Sequence, residues 1–226
     1  LKYYDIDVLY NKIGYVDEKN ILYTINHYFT EAVKKRIMSD RPIGCLLSGG
    51  LDSSLVAAIL QKNISSKLKT FSIGLEGATD LLYAKKVADY IGSDHTQVII
   101  SAEDMFNAIP EVIKSIESYD TTTVRASTPM YLLSKYICEN TDIVVIYSGE
   151  GSDEASGSYL YFHKAPSYNE FRNESNRLMK DLSYFDVLRC DRTTAAHSLE
   201  VRVPFLDKDF LNYYMNIESR FKHPNY

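Results

Sequence analysis

The 226-residue sequence has no tryptophan, only three cysteines, and no apolar run long enough to cross a bilayer as a helix. Cys45, Cys138 and Cys190 are far apart and show neither CxxC nor Cys/His ligand spacing. That pattern argues against structural zinc and a disulfide framework and suits a reducing, cytoplasmic compartment. Excess positive charge is missing too: 25 Lys and Arg face 30 Asp and Glu, intermixed, for a net charge of -5. There is no basic face for nucleic acid or an anionic membrane, and small ligands are favoured over polyanions. The opening residues, LKYYDIDVLY, lack the basic-then-apolar build of a secretory signal. His27, His95, His163, His197 and His223 are scattered and read as ordinary surface or core residues. Neither repeats nor low-complexity tracts divide the chain. What remains is a soluble sequence long enough for one well-buried α/β domain.

The chain is organised around IGCLLSGGLDSS, Ile43 to Ser54. Ile43, Cys45, Leu46 and Leu47 predict a short buried strand. Leu51, Leu55, Val56, Ala58, Ile59 and Leu60 predict the apolar face of the helix that follows. Between them, Gly49 and Gly50 let backbone approach a ligand closely, Ser48, Ser53 and Ser54 add hydroxyl donors, and free N–H groups at the helix start favour phosphate. The stretch is neither GxxxxGK[ST] nor GxGxxG. Asp52 is a carboxylate where anions should bind, which makes sense if it holds Mg2+ against phosphate oxygens. The other reading is a Gly/Ser turn with Asp52 as a helix cap.

Residues 1–18 are tyrosine-rich and aperiodic, a lead-in segment. Residues 19–40 carry Ile21, Leu22, Ile25, Phe29, Ala32, Val33 and Ile37 at helical spacing, with Lys34, Lys35 and Arg36 as a solvated basic cluster near the end. Pro42 stops this helix. A second strand is expected over residues 68–75, then a helix opened by Asp80 and ended by Gly92, and a third strand over residues 96–100. Ser101 and Asp104 are spaced as a capping box for a helix running to about residue 118, and another helix is expected over residues 127–138 with Pro129 in its first turn. DIVVIY, Asp142 to Tyr147, is a β-branched run that predicts a buried parallel strand, and it ends in the loop SGEGSDE, Ser148 to Glu154. Leu178, Leu182, Phe185 and Leu188 continue a helical pattern in a more helical final third. Alternating strands and helices imply a parallel sheet flanked by helices, with ligands outside the carboxyl ends of its strands. The two loops then face one crevice, where Asp52 and Asp153 share a magnesium site. A solvated acidic turn is the alternative for SGEGSDE.

SGGLDSS resembles the pyrophosphate-binding loop of the ATP pyrophosphatases, the adenine nucleotide alpha hydrolase-like enzymes that adenylate a substrate. YDTTTVRASTPMY (Tyr119 to Tyr131), SGEGSDE, YLYFHKAP (Tyr159 to Pro166) and DRTTAAHSLEVRVPFLD (Asp191 to Asp207), in this order, resemble the synthetase domain of the glutamine-hydrolysing asparagine synthetases, the animal type above all. The resemblance spans about residues 42–209 and assigns residues 19–226 to that domain. It implies that ATP adenylates the side chain of aspartate to give beta-aspartyl-AMP and pyrophosphate, and that ammonia displaces AMP to give asparagine. It further implies a glutaminase domain ahead of this one, a C-terminal segment beyond Tyr226 carrying a phosphate-contacting lysine, and an apolar patch covered by the glutaminase domain. A homodimer is compatible with it.

Carried onto these positions, the resemblance places pyrophosphate on Ser48, Gly49, Gly50, Leu51, Asp52, Ser53 and Ser54, and Mg2+ on Asp52 and Asp153. Adenosine falls between Leu46, Ile73, Gly74, Ser148 and Gly149. Glu150 matches the essential glutamate, suited to accept a proton from ammonia or to order the intermediate; a salt-bridged structural glutamate is the other reading. Arg125, with Thr122 and Thr123, matches residues associated with the reacting groups. Asp186 and Arg189 match positions near substrate, although their spacing also suits an ordinary i,i+3 ion pair. The chain departs from the animal-type pattern in two ways. Its first cysteine is Cys45, so it carries no N-terminal glutaminase nucleophile, and Ala155, Ser156, Gly157 and Ser158 replace bulkier residues beneath the second loop. A related amide-forming enzyme of the beta-lactam synthetase type and an inactive nucleotide-binding module are the competing functions.

Overall fold

Five strands, β1 (Ile43–Leu46), β2 (Lys69–Leu75), β3 (Asp94–Ile100), β4 (Val145–Tyr147) and β5 (Glu200–Arg202), form a parallel sheet in the order β3-β2-β1-β4-β5. The computed structural model describes residues 17–223, so the lead-in segment lies outside the described residues up to residue 16. Helices α1 (Glu18–Lys34), α2 (Leu51–Asn63), α3 (Thr79–Ile91), α4 (Ala102–Ile116), α5 (Thr121–Asn140), α6 (Ser152–Ser156), α7 (Tyr168–Asp181), α8 (Asp186–Ala195) and α9 (Lys208–Asn216) connect and flank the strands. From β1 the chain steps outward to β2 and β3, then returns to lay β4 on the other side of β1. The strand order therefore reverses between β1 and β4, and the crevice outside their carboxyl ends is where a sheet of this kind binds ligands.

One face of the sheet is covered by Phe29, Val33, Val56, Leu60 and Ala84 from the first three helices, packed on Cys45, Leu47 and Tyr147. Leu133 and Ile137 of α5 cover the other face against Phe71 and Ile146. Fully burying each large apolar side chain contributes about 1.5–3 kcal/mol, which is why the short β1 and β4 hold their place.

Several local expectations are corrected. Leu51 and Leu55 do not join the apolar face of α2: Leu51 is 74% exposed, and Ser53, Val56, Ala57 and Leu60 point inward instead. The first helix ends at Lys34, well before residue 40, because Arg202 of β5 donates to the carbonyls of Arg36 and Met38 and so satisfies the chain as it leaves the helix. α5 begins at Thr121 rather than Ser127, since the Asp120 side chain accepts from the Thr123 N–H at 2.8 Å and caps it. Pro129 thus lies inside the helix. SGEGSDE is only half a loop, because Ser152, Asp153 and Glu154 open α6. The pattern from Leu178 to Leu188 is broken by a 3-10 turn, Leu182–Tyr184, and by the non-helical Phe185, so that Asp186 starts a new helix. The small residues after Glu154 have a packing reason: a Cβ on Gly157 would lie 2.4 Å from the Phe171 ring, and Gly157 has φ of +69°.

The basic cluster is not simply solvated. Arg36 bonds Asp207 at 2.8 Å, and Lys35 pairs with Asp207 and Asp209. Burial raises the Asp207 pKa, but the Arg36 bond and the Phe210 N–H outweigh it and hold the carboxyl below its ordinary 3.8. A carboxylate with a depressed folded pKa contributes stability above its unfolded pKa and loses it as pH falls through the folded value. Asp207→Asn is therefore expected to cost about 1–3 kcal/mol at pH 7 in urea melts, and the deficit should shrink as pH falls below 3.8.

Candidate active site

The loop between β1 and α2 is built for close approach. Gly49 has φ of +82°, and a Cβ there would sit 2.4 Å from the Ala84 backbone nitrogen of α3, so only glycine fits. Gly50 caps α2 without a side-chain bond, leaving the first N–H groups of a 13-residue helix without a side-chain cap. Ser53 Oγ is the hub of the turn: it lies 2.9 Å from Ser48 Oγ, accepts from the Ser48 N–H at 3.2 Å and donates to the Gly50 carbonyl at 3.3 Å. Ser54 Oγ donates to the same carbonyl at 2.6 Å.

The loop after β4 lies against this one. A Cβ on Gly149 would meet Ser53 N at 3.0 Å and the Asp52 carbonyl carbon at 3.2 Å. Ser152 Oγ donates to Asp52 Oδ1 at 2.7 Å, tying the start of α6 to the start of α2. Between the loops and α5 opens a cavity of about 490 Å3. Of the expected residues, Leu46, Ser48, Asp52, Ser53, Ile73, Ser148, Gly149, Glu150, Asp153, Asp186 and Arg189 line it. Gly49, Gly50, Leu51 and Ser54 belong to the same turn and helix start without lining the cavity. Gly74 stands behind it, against Leu81 of α3 and Ala78, the residue that precedes that helix.

Thr122, Thr123 and Arg125 are not brought into this cavity. α5 faces it with Ala126, Pro129, Met130 and Leu133, whereas Arg125 is exposed and lines a separate groove with Phe106, Ile109 and Tyr119. Thr123 is spent on the helix cap, its hydroxyl donating to Asp120 Oδ1 at 2.8 Å. The cavity's guanidinium is that of Arg189, which reaches the Glu150 carboxylate with Nη2 and Asp186 Oδ1 at 2.7 Å with Nη1. Both readings of the Asp186–Arg189 spacing hold at once, since the i,i+3 pair lies in the crevice. Asp80, Glu154 and Tyr159 also line the cavity without having been expected. Glu154 follows Glu150 by four residues, but Glu150 precedes α6 and Glu154 lies within it, so no helical spacing links the two.

Carboxylates outnumber cations here, and the electrostatics show it. Burial, then the Asp153 charge, push Asp52 above the usual carboxylate range, against the Ser152 bond. Burial raises Glu150, with Arg189 opposing and Asp186 adding to the rise. Glu154 is pushed up to about 7 by burial and by Asp186, against the bond from Tyr159. Among the described residues no group of three or more His, Cys, Asp or Glu forms a metal cage. Asp52 and Asp153 both line the cavity beside the turn that opens α2, and two carboxylates are the donor set Mg2+ uses when phosphate oxygens and water complete its shell, so they fit that ion.

The family model described as asparagine synthase matches residues 24–177 and 166–225. A human protein named asparagine synthetase [glutamine-hydrolyzing] is 59% identical over 201 residues, covering 87% of this chain and 36% of that protein. Its counterpart from Gallus gallus is 57% identical over 213 residues, covering 92% and 38%. The chain thus spans a little over a third of the length of these relatives. Among solved structures, the NH3-dependent NAD synthetase from Campylobacter jejuni aligns with a TM-score of 0.40 at 16% identity, over 76% of this chain and 77% of that one.

Proposed function

The chain belongs to the asparagine synthase family, and from that premise we propose that it is the part of an asparagine synthetase that activates aspartate with ATP and forms the amide. The observation that carries this is the meeting of the two loops at the β1/β4 reversal, which puts a phosphate-type turn, the Asp52/Asp153 pair and the Glu150–Arg189–Asp186 cluster in one cavity. Leu46, Ile73, Ser148 and Gly149 frame the nucleoside, and the N–H groups and hydroxyls of residues 48–54 hold the phosphates. Bound Mg2+ would offset negative charge developing on the phosphates.

An oxygen of the aspartate side chain attacks the alpha phosphorus, the bond to the bridging oxygen breaks, and pyrophosphate leaves. Ammonia nitrogen then attacks the acyl carbon and AMP departs with the C–O electron pair. Glu150, whose pKa burial raises, is placed to take the proton that nitrogen sheds, with Arg189 orienting it. The longer relatives support a glutaminase domain as the ammonia source in the whole protein. A cytoplasmic setting belongs to the same reading, supported by three unpaired cysteines of which Cys45 and Cys190 are buried.

The test is pyrophosphate release from ATP and Mg2+ by the full-length protein, with and without aspartate and ammonium. Aspartate-dependent release with asparagine formation is the expected result. Release with a different carboxylate alone would indicate the beta-lactam synthetase-like reading, and ATP binding without release an inactive nucleotide-binding module.

A further inference from the structure

Asp80 lines the cavity, yet neither the adenylating nor the amide-forming step uses it. It stands in the first turn of α3 but is not the cap. Ala78 holds that place without a side-chain bond, and among the described residues the Asp80 carboxylate has neither a hydrogen bond nor an ion pair. The helix that carries it packs both on the end of β2, whose Ile73 lines the cavity, and on the turn before α2, whose Ser48 lines it. A Cβ on Gly74 would meet Leu81 Cγ at 3.0 Å and Ala78 Cβ at 3.2 Å, while a Cβ on Gly49 would meet Tyr83 Cβ at 2.6 Å. Asp80 lies between these contacts in sequence, and of residues 78–84 it alone lines the cavity. We propose that Asp80 recognises the ribose of the nucleotide, its carboxylate accepting from the 2′- and 3′-hydroxyls, and that it makes the site prefer ribonucleotides to deoxynucleotides.

Charge decides what this carboxylate can meet. It repels the phosphates, so within ATP its partners are the donors: the exocyclic amine of the base and the two ribose hydroxyls. The ribose is the part that joins base to phosphates, and the first turns of α3 reach from the strand end that frames the base to the turn that holds the phosphates. A vicinal diol offers two O–H donors to the two oxygens of one carboxylate, and hydrogen bonds to an ionised acceptor are the stronger kind. Doubly wound dinucleotide sites hold the ribose 2′-hydroxyl with an acidic residue in the same way. The ammonium of aspartate is a donor too. Aspartate, however, reacts beside Glu150, which follows β4, and β1 separates β4 from the β2 side where Asp80 stands.

The proposal rests on the nucleotide site of the asparagine synthetase reading, and binding measured apart from turnover separates the two. The full-length protein is titrated calorimetrically with ATP, 2′-deoxy-ATP and 3′-deoxy-ATP in the presence of Mg2+ and without aspartate. The parent is expected to bind ATP about 10-fold more tightly than either deoxy form, the scale of a hydrogen bond to a charged group. Asp80→Ala should lose about the same factor for ATP and bind the three alike, and Asp80→Asn, which keeps one neutral acceptor, should fall between. A parent without the preference overturns the proposal, as does an undiminished preference in Asp80→Ala. So does an equal loss of affinity for all three ligands, which a first-turn carboxylate acting only on the helix dipole would produce. A raised aspartate KM in Asp80→Ala with ATP affinity unchanged would assign the carboxylate to the amino acid instead and overturn it too. Should Asp80→Ala fail to fold, an undiminished preference in Asp80→Asn overturns it. A parent that binds ATP but releases no aspartate-dependent pyrophosphate overturns the functional reading while the ribose preference is still decided by binding, and a parent that binds no ATP overturns both.

Discussion

Asp52→Ala is expected to reduce aspartate-dependent pyrophosphate release by at least about 100-fold, the scale of losing a principal charge-stabilising group, and asparagine formation with it. Asp52 stands in the first turn of α2, bonded by Ser152 Oγ at 2.7 Å, where the two loops touch. Asp52→Asn separates charge from shape, since it keeps an oxygen for Ser152 and removes only the negative charge. If the carboxylate is there to hold a cation against phosphate, Asn should be nearly as damaging as Ala. If Asp52 is only a turn residue, Asn should be nearly silent.

Stability should move the other way. Burial and the Asp153 charge raise the folded pKa of Asp52 above its ordinary 3.8. An acid with a raised folded pKa binds its proton more tightly in the native state, so its contribution to stability falls as pH rises from the unfolded value through the folded one. At pH 7 the ionised Asp52 is a net cost to the free protein, and Asp52→Asn should melt higher than the parent while losing activity. Thermal melts at pH 7 without Mg2+ read this directly, and a lower melting temperature for Asp52→Asn would remove the electrostatic part of the argument.

Sequence order explains which parts of this site were legible. The phosphate-type turn is local, because glycines, hydroxyls and a helix start lie within twelve residues, so its chemistry can be read where it stands. The two loops meet because the strand order reverses between β1 and β4, which follows from alternating βα units once the sheet is parallel. The α5 start was missed for a local reason. Thr121, Thr122 and Thr123 are poor helix formers in sequence, and only the Asp120 cap makes them helical. Leu133 and Ile137 pack α5 on the sheet, and in that setting Ala126 and Met130 line the cavity while Arg125 lines the neighbouring groove. Long-range ion pairs are a different matter. Arg36 and Asp207 are 171 residues apart, and no periodicity announces that one will cap the other's charge.

Glu150 and Arg189 are likewise distant, 39 residues apart, and the second large effect is expected there. The side chains of Glu150, Arg189 and Asp186 are only 15%, 19% and 22% exposed, so their charges depend on one another rather than on water. Arg189→Met removes the cation that Glu150 and Asp186 share and leaves carboxylates facing carboxylates, and breaking a buried pair in this way should cost about 3–5 kcal/mol in urea melts at pH 7. Burial already raises Glu150, and Arg189 is what opposes the rise, so in the variant the Glu150 pKa climbs further. With a raised folded pKa, stability is lost as pH rises through that value. The Arg189→Met deficit should therefore shrink as pH falls from 7 towards 5 and Glu150 gains its proton more readily, and be larger at neutrality. The double variant Arg189→Met/Glu150→Gln removes one orphaned charge and should recover a large part of the loss at pH 7, a coupling of about 0.5–3 kcal/mol. A deficit equal at pH 5 and pH 7, with no recovery in the double variant, would mean that Arg189 stabilises the fold through its alkyl packing and not through the carboxylates it joins. Recovery of stability without recovery of asparagine formation would separate the two duties of the pair, since the charge balance would be restored while Glu150 could no longer accept a proton.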